Sequence, residues 1–248
     1  MSQKGTSRLK VDLHTHTAED PQDRIGYSAR TLIDRAAALG YDALAVTNHN
    51  ILTYDETLAA YAEKRGILLL PGTEVTAEGC HILVINPGFP IRPGHDYTLA
   101  DIPRLKTPDS LWIAPHPFYF LFQSLHGNLD KLLPHFDAVE FSSYHNSLID
   151  FNAKALRAAA HAGKPVVGTS DCHTFWQFGR TYSLVDAEKN AASLIAAVKA
   201  GKVRVRTTPI SVWTMIRIIF RFFTANKLWR LARRLAENRR QRRLTKSR

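Results

Sequence analysis

Residues 9–17 read LKVDLHTHT, so an apolar strand-like run leads directly into two histidines. Similar runs recur along the chain and alternate with segments that predict helices. The strand-like runs are Leu9–Leu13, Ala43–Thr47, Ile67–Pro71, His81–Ile85, Leu111–Ala114, Ala138–Ser142 and Pro165–Gly168. The predicted helices lie near residues 28–39, 55–65, 98–105, 150–162 and 190–200, and several end at a glycine. Apolar strands joined by helices predict an α/β fold with a parallel sheet, as a barrel or an open doubly wound sheet.

Length and charge divide the chain into two parts. The 248 residues, 45% of them hydrophobic, are enough for one core of the size that α/β barrels reach. The net charge of +11 lies at the C-terminal end, because residues 210–248 contain 12 of the 33 lysines and arginines and a single acid, Glu237. We therefore expect a barrel over residues 1–209 and a basic amphipathic helical tail over residues 210–248.

The cysteines and the N-terminus indicate the compartment. Cys80 and Cys172 are too few for a disulfide framework, and the first residues lack the apolar stretch of a secretory signal. No apolar run reaches the roughly 20 residues needed to span a bilayer. We expect a cytoplasmic protein that the tail can hold peripherally at a membrane.

Histidines and acids cluster at the ends of the strand-like runs. In an extended segment, His14 and His16 at i and i+2 point to one side and can chelate one divalent ion. Parallel barrels place their sites at the C-terminal ends of strands, whereas His95, His126, His135 and His161 follow no such pattern. Mixed imidazole and carboxylate ligands in excess of four favour more than one Zn, Mn or Fe ion.

The motifs DLHTHT, VTNHN, GTE before HILVI, APHPF and TSDCH, in this order over residues 9 to about 206, resemble the polymerase and histidinol phosphatase (PHP) family. The resemblance implies a distorted (β/α)7 barrel that holds two or three divalent metal ions and hydrolyses phosphoesters. It implies as metal ligands His14, His16, His49, Glu74, His81, His116, Asp171 and His173, with His145 as a further candidate.

Two positions depart from the family pattern. Asn48 stands where the family commonly has aspartate. Its side-chain amide brings no charge, which predicts weaker metal retention. Pro21 stands where the family tends to have an aspartate ligand for an outer metal. Asp20 is our preferred substitute among Glu19, Asp20 and Asp23. If no acid reaches the cluster, two ions are expected instead of three.

The leading functional hypothesis is a metal-dependent phosphoesterase acting on a small phosphomonoester or phosphodiester, with nucleotide-type esters among the candidates. In this hypothesis Glu74 and a hydroxide bridge two metal ions, and the hydroxide attacks phosphorus. His173 or Asp171 passes a proton to the leaving oxygen. Arg180 is a candidate phosphate ligand, although a surface arginine is an equal interpretation. His81, His116 and His145 also have structural interpretations, as a strand histidine, a loop cap and a residue outside the site.

Two alternatives stay open. In the first, the chain is a nucleic-acid processing or binding module that uses its basic tail. In the second, it is a metal-binding barrel without turnover. For the tail, an anionic membrane surface, a nucleic acid and a solvated charged end are all retained. Residues 212–223 and 227–237 form amphipathic patterns that are out of phase, so we expect a break near Thr224 to Asn226, with the first segment packed on the barrel or a partner. The sequence makes no prediction of the oligomeric state.

Overall fold

The computed structural model describes residues 8–119, 123–224, 226, 228 and 229. All seven predicted strand runs form strands, and two more strands follow them. The strands are β1 (Arg8–Asp12), β2 (Ala43–Val46), β3 (Leu68–Ala77), β4 (Cys80–Ile85), β5 (Leu111–Ala114), β6 (Ala138–Ser142), β7 (Val166–Thr169), β8 (Thr181–Asp186) and β9 (Val203–Thr207).

The helices lie where the sequence predicts them, except for a short helix at Leu129–Leu132, which was not predicted. They are α1 (Ala29–Ala38), α2 (Glu56–Glu63), α3 (Ile102–Leu105), α4 (Leu129–Leu132), α5 (Asn152–His161) and α6 (Ala191–Lys199), followed by a C-terminal helix over residues 212–224. The side chains of Ser28, Asp55 and Asn190 cap the N-termini of α1, α2 and α6 by accepting backbone N–H groups. Among the residues described, no helix is long and apolar enough to cross a membrane.

The strands form one mixed sheet in the order β7-β6-β5-β4-β3-β2-β1-β8-β9. The two edges approach each other, because the Gly168 N–H donates to Ser183 Oγ at 2.9 Å and the Ser183 hydroxyl donates to the Gly168 carbonyl at 3.0 Å. A Cβ at Gly168 would lie 2.7 Å from Cγ1 of Val205. Glycine at this position therefore lets the sheet curl into a nearly closed barrel, as predicted.

The expectation of an all-parallel sheet of seven strands is corrected. β4 runs antiparallel to both β3 and β5, and β8 runs antiparallel to β1 and β9. A two-residue turn at Glu78 and Gly79, both at positive φ, joins β3 to β4, and so short a connection can join only antiparallel strands. The reversal brings His81, at the start of β4, to the end of the barrel where β2 ends.

The apolar core lies inside the barrel and beneath its helices. Val11, Ile113 and Val167 are fully buried in the interior, and Leu194 of α6 packs into the same cluster. Because α6 follows β8, which is antiparallel to β1, it covers the end at which β1 begins. The opposite end carries the polar segments that follow the strands.

The C-terminal helix packs on this polar end of the barrel. Met215 and Ile218 are buried beside Ile210, Tyr119 and Tyr144. The break predicted near Thr224 to Asn226 includes residue 225, which lies outside the described residues, as do residues 227 and 230–248. The proposed boundary between a barrel and a separate tail stays a prediction.

Candidate metal centre

Glu74 of β3 lies at the middle of a buried group of histidines. Its Oε1 lies 2.9 Å from Nδ1 of His81 and 3.0 Å from Nε2 of His116. Its Oε2 lies 3.2–3.3 Å from the Nε2 atoms of three other histidines, His14, His16 and His49. Each carboxylate oxygen thus faces its own set of imidazoles, an arrangement suited to bridging two cations.

His14 and His16 face each other across a short gap. Their Nε2 atoms are 3.1 Å apart, and Oδ1 of Asp171 lies 3.5 Å from the first and 3.4 Å from the second. Two imidazole nitrogens at this distance need a proton or a cation between them, since two lone pairs repel. The i, i+2 spacing therefore brings both donor atoms to one point, as predicted.

Strand ends of the barrel position these groups. The segments after β1 and β7 lie side by side through a bridge between Thr15 and Cys172, and His49 bridges to Glu74 after β2. Between Asp171 and His173, Cys172 packs into the apolar cluster beneath α1, and its Sγ accepts from the Tyr27 hydroxyl at 3.4 Å. It is fully buried beside Tyr27, and burial raises the pKa of its thiol to about 12. Cys172 is a buried thiol here and not a metal ligand.

Two residues of the site have a left-handed backbone that favours glycine. His116 has φ 32° and Asp171 has φ 46°. The Asp171 N–H donates to the carbonyl of His14 at 2.9 Å, and the His116 N–H donates to Glu140. Such strain is retained where the surrounding structure determines the backbone, and it concentrates at functional sites.

Glu140 of β6 is a functional residue that the sequence reasoning missed. It is fully buried, and its Oε1 accepts from Nδ1 of His14 at 2.7 Å and from the Thr169 hydroxyl. A hydrogen bond at Nδ1 leaves the Nε2 lone pair of His14 facing the cluster. The available signal was a single acid inside the apolar strand Ala138–Ser142.

Glu140 provides a test of this orienting role. Replacing Glu140 with glutamine keeps the size but removes the charge that holds the Nδ1 proton, so metal affinity should fall about 10- to 100-fold. Metal titration of the purified variant measures the change. Glu188, an acid far along the chain beside α6, provides the control Glu188→Gln, which should bind metal as the natural chain does. Equal affinities for both variants would contradict the assigned role.

The loop after β1 contributes an outer group of acids. Oδ2 of Asp20 lies 3.0 Å from Nδ1 of His16 and 2.8 Å from Nδ1 of His49. Oδ2 of Asp23 lies 3.1 Å from Nε2 of His173. Glu19 instead accepts from the Ala29 N–H at the start of α1. Asp20, the preferred substitute for the aspartate absent at Pro21, is thus in contact with the cluster.

Burial and mutual charge set the electrostatics of the site. Burial opposes protonation of His14 and His16, but the surrounding carboxylates outweigh it and hold both pKa values well above the ordinary range. For Glu74 and Asp171, the histidines outweigh burial and lower both pKa values. Burial lowers the pKa of His81; its Nδ1 lies 2.9 Å from Oε1 of Glu74, whereas its Nε2 has no hydrogen-bond partner among the described residues.

The donor set fits divalent cations. Four groups of three residues meet this requirement. Within each group the ligand atoms lie within 4.8 Å of one another, and every member is buried. They are His14, Glu74 and His116; His14, His16 and Asp171; His16, His49 and Glu74; and Asp20, Asp23 and His49. The unpartnered Nε2 of His81 and the facing nitrogens of His14 and His16 are what a cation-binding site requires.

Not all predicted site residues join these groups. His173 contacts the cluster through Asp23, and His145 lies apart, with Nε2 2.7 Å from the Thr207 hydroxyl. Arg180 donates from Nε to the carbonyl of Trp176 at 2.8 Å. Asn48 donates to the hydroxyls of Thr17 and Thr53 and accepts from the Thr17 N–H, so its amide holds the loop after β1.

Two cavities adjoin the cluster. One, of about 580 Å³, reaches His49 between Gln22, Asn50 and Tyr97. The other, of about 420 Å³, reaches His173; we call it the basic groove, and it is lined by Arg24, Trp176, Arg221 and Phe222 among others. A ligand can therefore approach the cluster from two sides.

The structure is a PHP-type barrel that contains a buried cluster of His, Asp and Glu side chains, and comparison with known proteins supports this fold. A family model described as PHP-associated matches residues 150–203, which include Asp171 and His173. A two-domain protein from Bacteroides vulgatus, containing a predicted PHP-like metal-dependent phosphoesterase, aligns with a TM-score of 0.66 at 20% identity, over 88% of this chain and 71% of that one. The PHP-associated match over residues 150–203 agrees with the resemblance seen in the motifs, and the shared fold confirms the PHP-type barrel predicted from them.

Two further structures share the fold. PsfC from Pseudomonas syringae aligns with a TM-score of 0.59 at 19% identity, over 91% of this chain and 99% of that one. The lesion-specific endonuclease Q from Pyrococcus furiosus aligns with a TM-score of 0.57 at 17% identity, over 80% of this chain and 57% of that one. Among curated protein sequences, none matches this chain.

Proposed function

We propose that this protein is a metal-dependent phosphoesterase. The observation that carries the proposal is Glu74, which presents its two oxygens to two sets of buried imidazoles. This arrangement suits a pair of divalent ions, and two-metal sites serve phosphoester hydrolysis. Support comes from the similar Bacteroides vulgatus protein, which contains a predicted metal-dependent phosphoesterase.

The residues that would hold the ions are the members of the four buried groups, with His81 as an additional ligand of the ion nearest Oε1 of Glu74. The identity of the ions, manganese, zinc or iron, and their number, two or three, are part of the proposal. When bound, divalent ions supply Lewis acidity toward the phosphoryl oxygens and toward the attacking water. Glu140 keeps the imidazole of His14 oriented, because its Oε1 accepts from Nδ1 on the far side of the ring.

His173 is proposed to hold the proton that the leaving oxygen receives. Its Nδ1 lies 3.1 Å from the carbonyl of Asp171, so an Nδ1 proton donates there, and its Nε2 lies 3.1 Å from Oδ2 of Asp23. Because His173 lines the basic groove, this Nε2 lies on the path by which a substrate enters. Asp171 is assigned as a metal ligand, since its Oδ1 faces His14 and His16.

The basic groove is proposed to bind the part of the substrate beyond the scissile bond. Arg24 and Arg221 are exposed, and neither forms an ion pair with a carboxylate among the described residues. The guanidinium of Arg221 lies 5.8 Å from the centre of the Trp176 ring. Two cations beside an aromatic ring suit a substrate with a further anionic group or a flat ring. Arg24 and Arg221 are candidate phosphate ligands in addition to Arg180, whose guanidinium donates to two backbone carbonyls.

Substitution in the groove separates binding from chemistry. Arg221→Ala should raise KM for nucleotide substrates about tenfold, with kcat nearly unchanged, because it removes a contact made equally in ground and transition states. Arg217→Ala is the matched control, since Arg217 is exposed on the same helix and does not line the groove. Steady-state kinetics with nucleotides and with p-nitrophenyl phosphate provides the measurement. A similar KM change in both variants would refute the role of the groove.

The proposed function is tested with a substrate panel. Protein loaded with manganese, zinc or iron is assayed on p-nitrophenyl phosphate, bis-p-nitrophenyl phosphate and nucleotides, beside a variant carrying His14→Ala and His16→Ala. Hydrolysis by the natural chain that is lost in the variant supports the proposal. Equal rates in both would overturn it. Tight metal binding without hydrolysis would instead identify a barrel that binds metal without turnover.

A nucleic-acid phosphodiester is the second candidate substrate. Endonuclease Q, which shares the fold, has been solved in complex with a duplex that carries an abasic lesion at its active site. Residues 227–248 of the tail contain ten lysines and arginines, and phosphate backbones attract such a cluster of positive charge. Cleavage of duplex or single-stranded oligonucleotides, weakened by salt, would favour this candidate over a small phosphoester.

A further inference from the structure

The inner face of the C-terminal helix is tied to the candidate metal centre. The ring of Phe222 meets the ring of His173 edge-on, with the ring centres 4.9 Å apart. The amide of Asn226, which is buried, donates to Oδ1 of Asp23 at 2.8 Å and accepts from the Arg24 N–H at 2.7 Å. The helix is therefore held in a defined position over one side of the site.

The outer face of the same helix exposes large apolar side chains. Trp213 is 76% exposed, Ile216 50%, Phe220 69% and Phe223 46%. Their spacing of three, four and three residues places them along one stripe, which we call the outer stripe, opposite Met215, Ile218 and Phe222. Single exposed apolar residues are normal, but four on one helix face mark an interaction surface.

Positive charge borders the outer stripe. Arg217 and Arg221 lie on one flank of the helix, at about 80° and about 120° from the centre of the stripe by helical geometry. Residues 210–226 contain no acid, and residues 227–248 contain a single one, Glu237, among ten basic residues. An apolar stripe bordered by cations complements a surface that is anionic at its outside and apolar just beneath.

We propose that the C-terminal helix docks the protein on an anionic membrane surface through the outer stripe. Tryptophan and phenylalanine occupy the boundary between headgroups and acyl chains, and flanking arginines contact the headgroup phosphates. A nucleic acid would be contacted by cations at the centre of the face, where this helix has apolar side chains. A second copy of the chain would bring two strongly basic tails together.

Docking would also orient the site, a consequence that rests on the proposed function. Arg221 borders the outer stripe and lines the basic groove, and Phe222 beside it contacts His173. The entrance of the groove then lies near the headgroups, where a membrane-borne phosphoester is presented. The docking itself is measured without catalysis, so its failure is distinct from failure of the phosphoesterase proposal.

The test is vesicle flotation of the full chain. Vesicles of phosphatidylcholine containing about a third phosphatidylserine should bind the protein far better than pure phosphatidylcholine, by about fivefold for each basic residue engaged. The double variant Trp213→Ser, Phe220→Ser should bind at least about tenfold more weakly, because two large side chains no longer leave water. The matched control is Leu52→Ser, Leu156→Ser, two exposed apolar residues elsewhere that are 40% and 37% exposed, and it should bind like the natural chain.

Several results would overturn the docking proposal. They are absence of binding to anionic vesicles, equal loss in the control variant, or full binding by the outer-stripe variant. Dimerisation of the natural chain that the Trp213→Ser, Phe220→Ser change abolishes would assign the stripe to a second copy, and a loss confined to oligonucleotide binding would assign it to nucleic acid. A second double variant of the outer stripe, Ile216→Ser with Phe223→Ser, is tested beside the first. A loss of binding with unchanged circular dichroism and metal content shows that the loss does not come from misfolding.

Discussion

Replacement of His14 by alanine is expected to lower kcat/KM at least about a hundredfold, and the same holds for His49, Glu74, Asp171 and His173. The reason is that His14, His49, Glu74 and Asp171 are proposed to share cations and so act as a unit, whereas His173 is proposed to hold the proton for the leaving oxygen. Nε2 of His14, for example, lies within 3.5 Å of His16, Glu74 and Asp171. Loss of groups that only orient ligands costs 10- to 100-fold, so loss of a ligand should cost at least as much. Kinetics of metal-replete protein on the best substrate of the panel, with metal content measured in parallel, provides the test.

The control variants are His95→Ala, His126→Ala and His161→Ala. These histidines are exposed and belong to none of the buried ligand groups of the described residues. They should retain activity and metal content within about twofold, as surface substitutions usually do. Combining two ligand substitutions should cost little more than one, because the first already empties or distorts the site. Equal losses from ligands and controls would disprove the sorting of the histidines.

Removal of the metal ions by a chelator is expected to lower the melting temperature by about 5 to 10 °C. Ligands that bind only the folded state stabilise it by about 2.7 kcal/mol at a hundredfold excess over Kd, and each kcal/mol corresponds to about 2 to 4 °C for a chain of this size. The chelated protein also leaves Glu74 and Asp171 charged and buried among histidines. Thermal unfolding followed by circular dichroism, with and without chelator and after manganese is restored, measures the effect.

Two controls sharpen the chelation experiment. The variant with His14→Ala and His16→Ala should show almost no shift, since it holds little metal to remove. The stabilisation should also be smaller at pH 6 than at pH 8, because the raised pKa values of His14 and His16 favour protons that the metal must displace. An unchanged melting temperature after complete chelation would show that metal does not contribute to stability.

Local patterns in the sequence predicted most of the frame of this site. The i, i+2 histidines share a side because extended segments alternate, and the glycines after Leu39, Arg65, Ala162 and Ala200 end helices because glycine adopts positive φ freely. The strand runs could be located because buried strands are apolar over four or more residues. β8 and β9 were missed because β8 alternates buried and half-buried positions and β9 has only half-buried and exposed ones, patterns that apolar runs do not capture.

Contacts between distant segments were decided only by the tertiary structure. Glu140 reaches His14 across 126 residues of sequence, and no local pattern shows that a strand acid will meet a particular imidazole. His145 ends beside Thr207 although its segment resembled a ligand loop, because β9 passes there. Asp20, unlike Glu19, reaches the cluster because of the path of one loop.

The sequence by itself therefore determined the first seven strands and most of the helices, the residue types of the site and the two histidines that share one face. These depend on backbone periodicity and side-chain chemistry, which are local. The tertiary structure alone decided the direction of β4, the support from Glu140, and the position of the C-terminal helix over His173 through Phe222 and Asn226. These depend on which apolar surfaces pack together when the sheet curls, a property of the whole chain that no short segment contains.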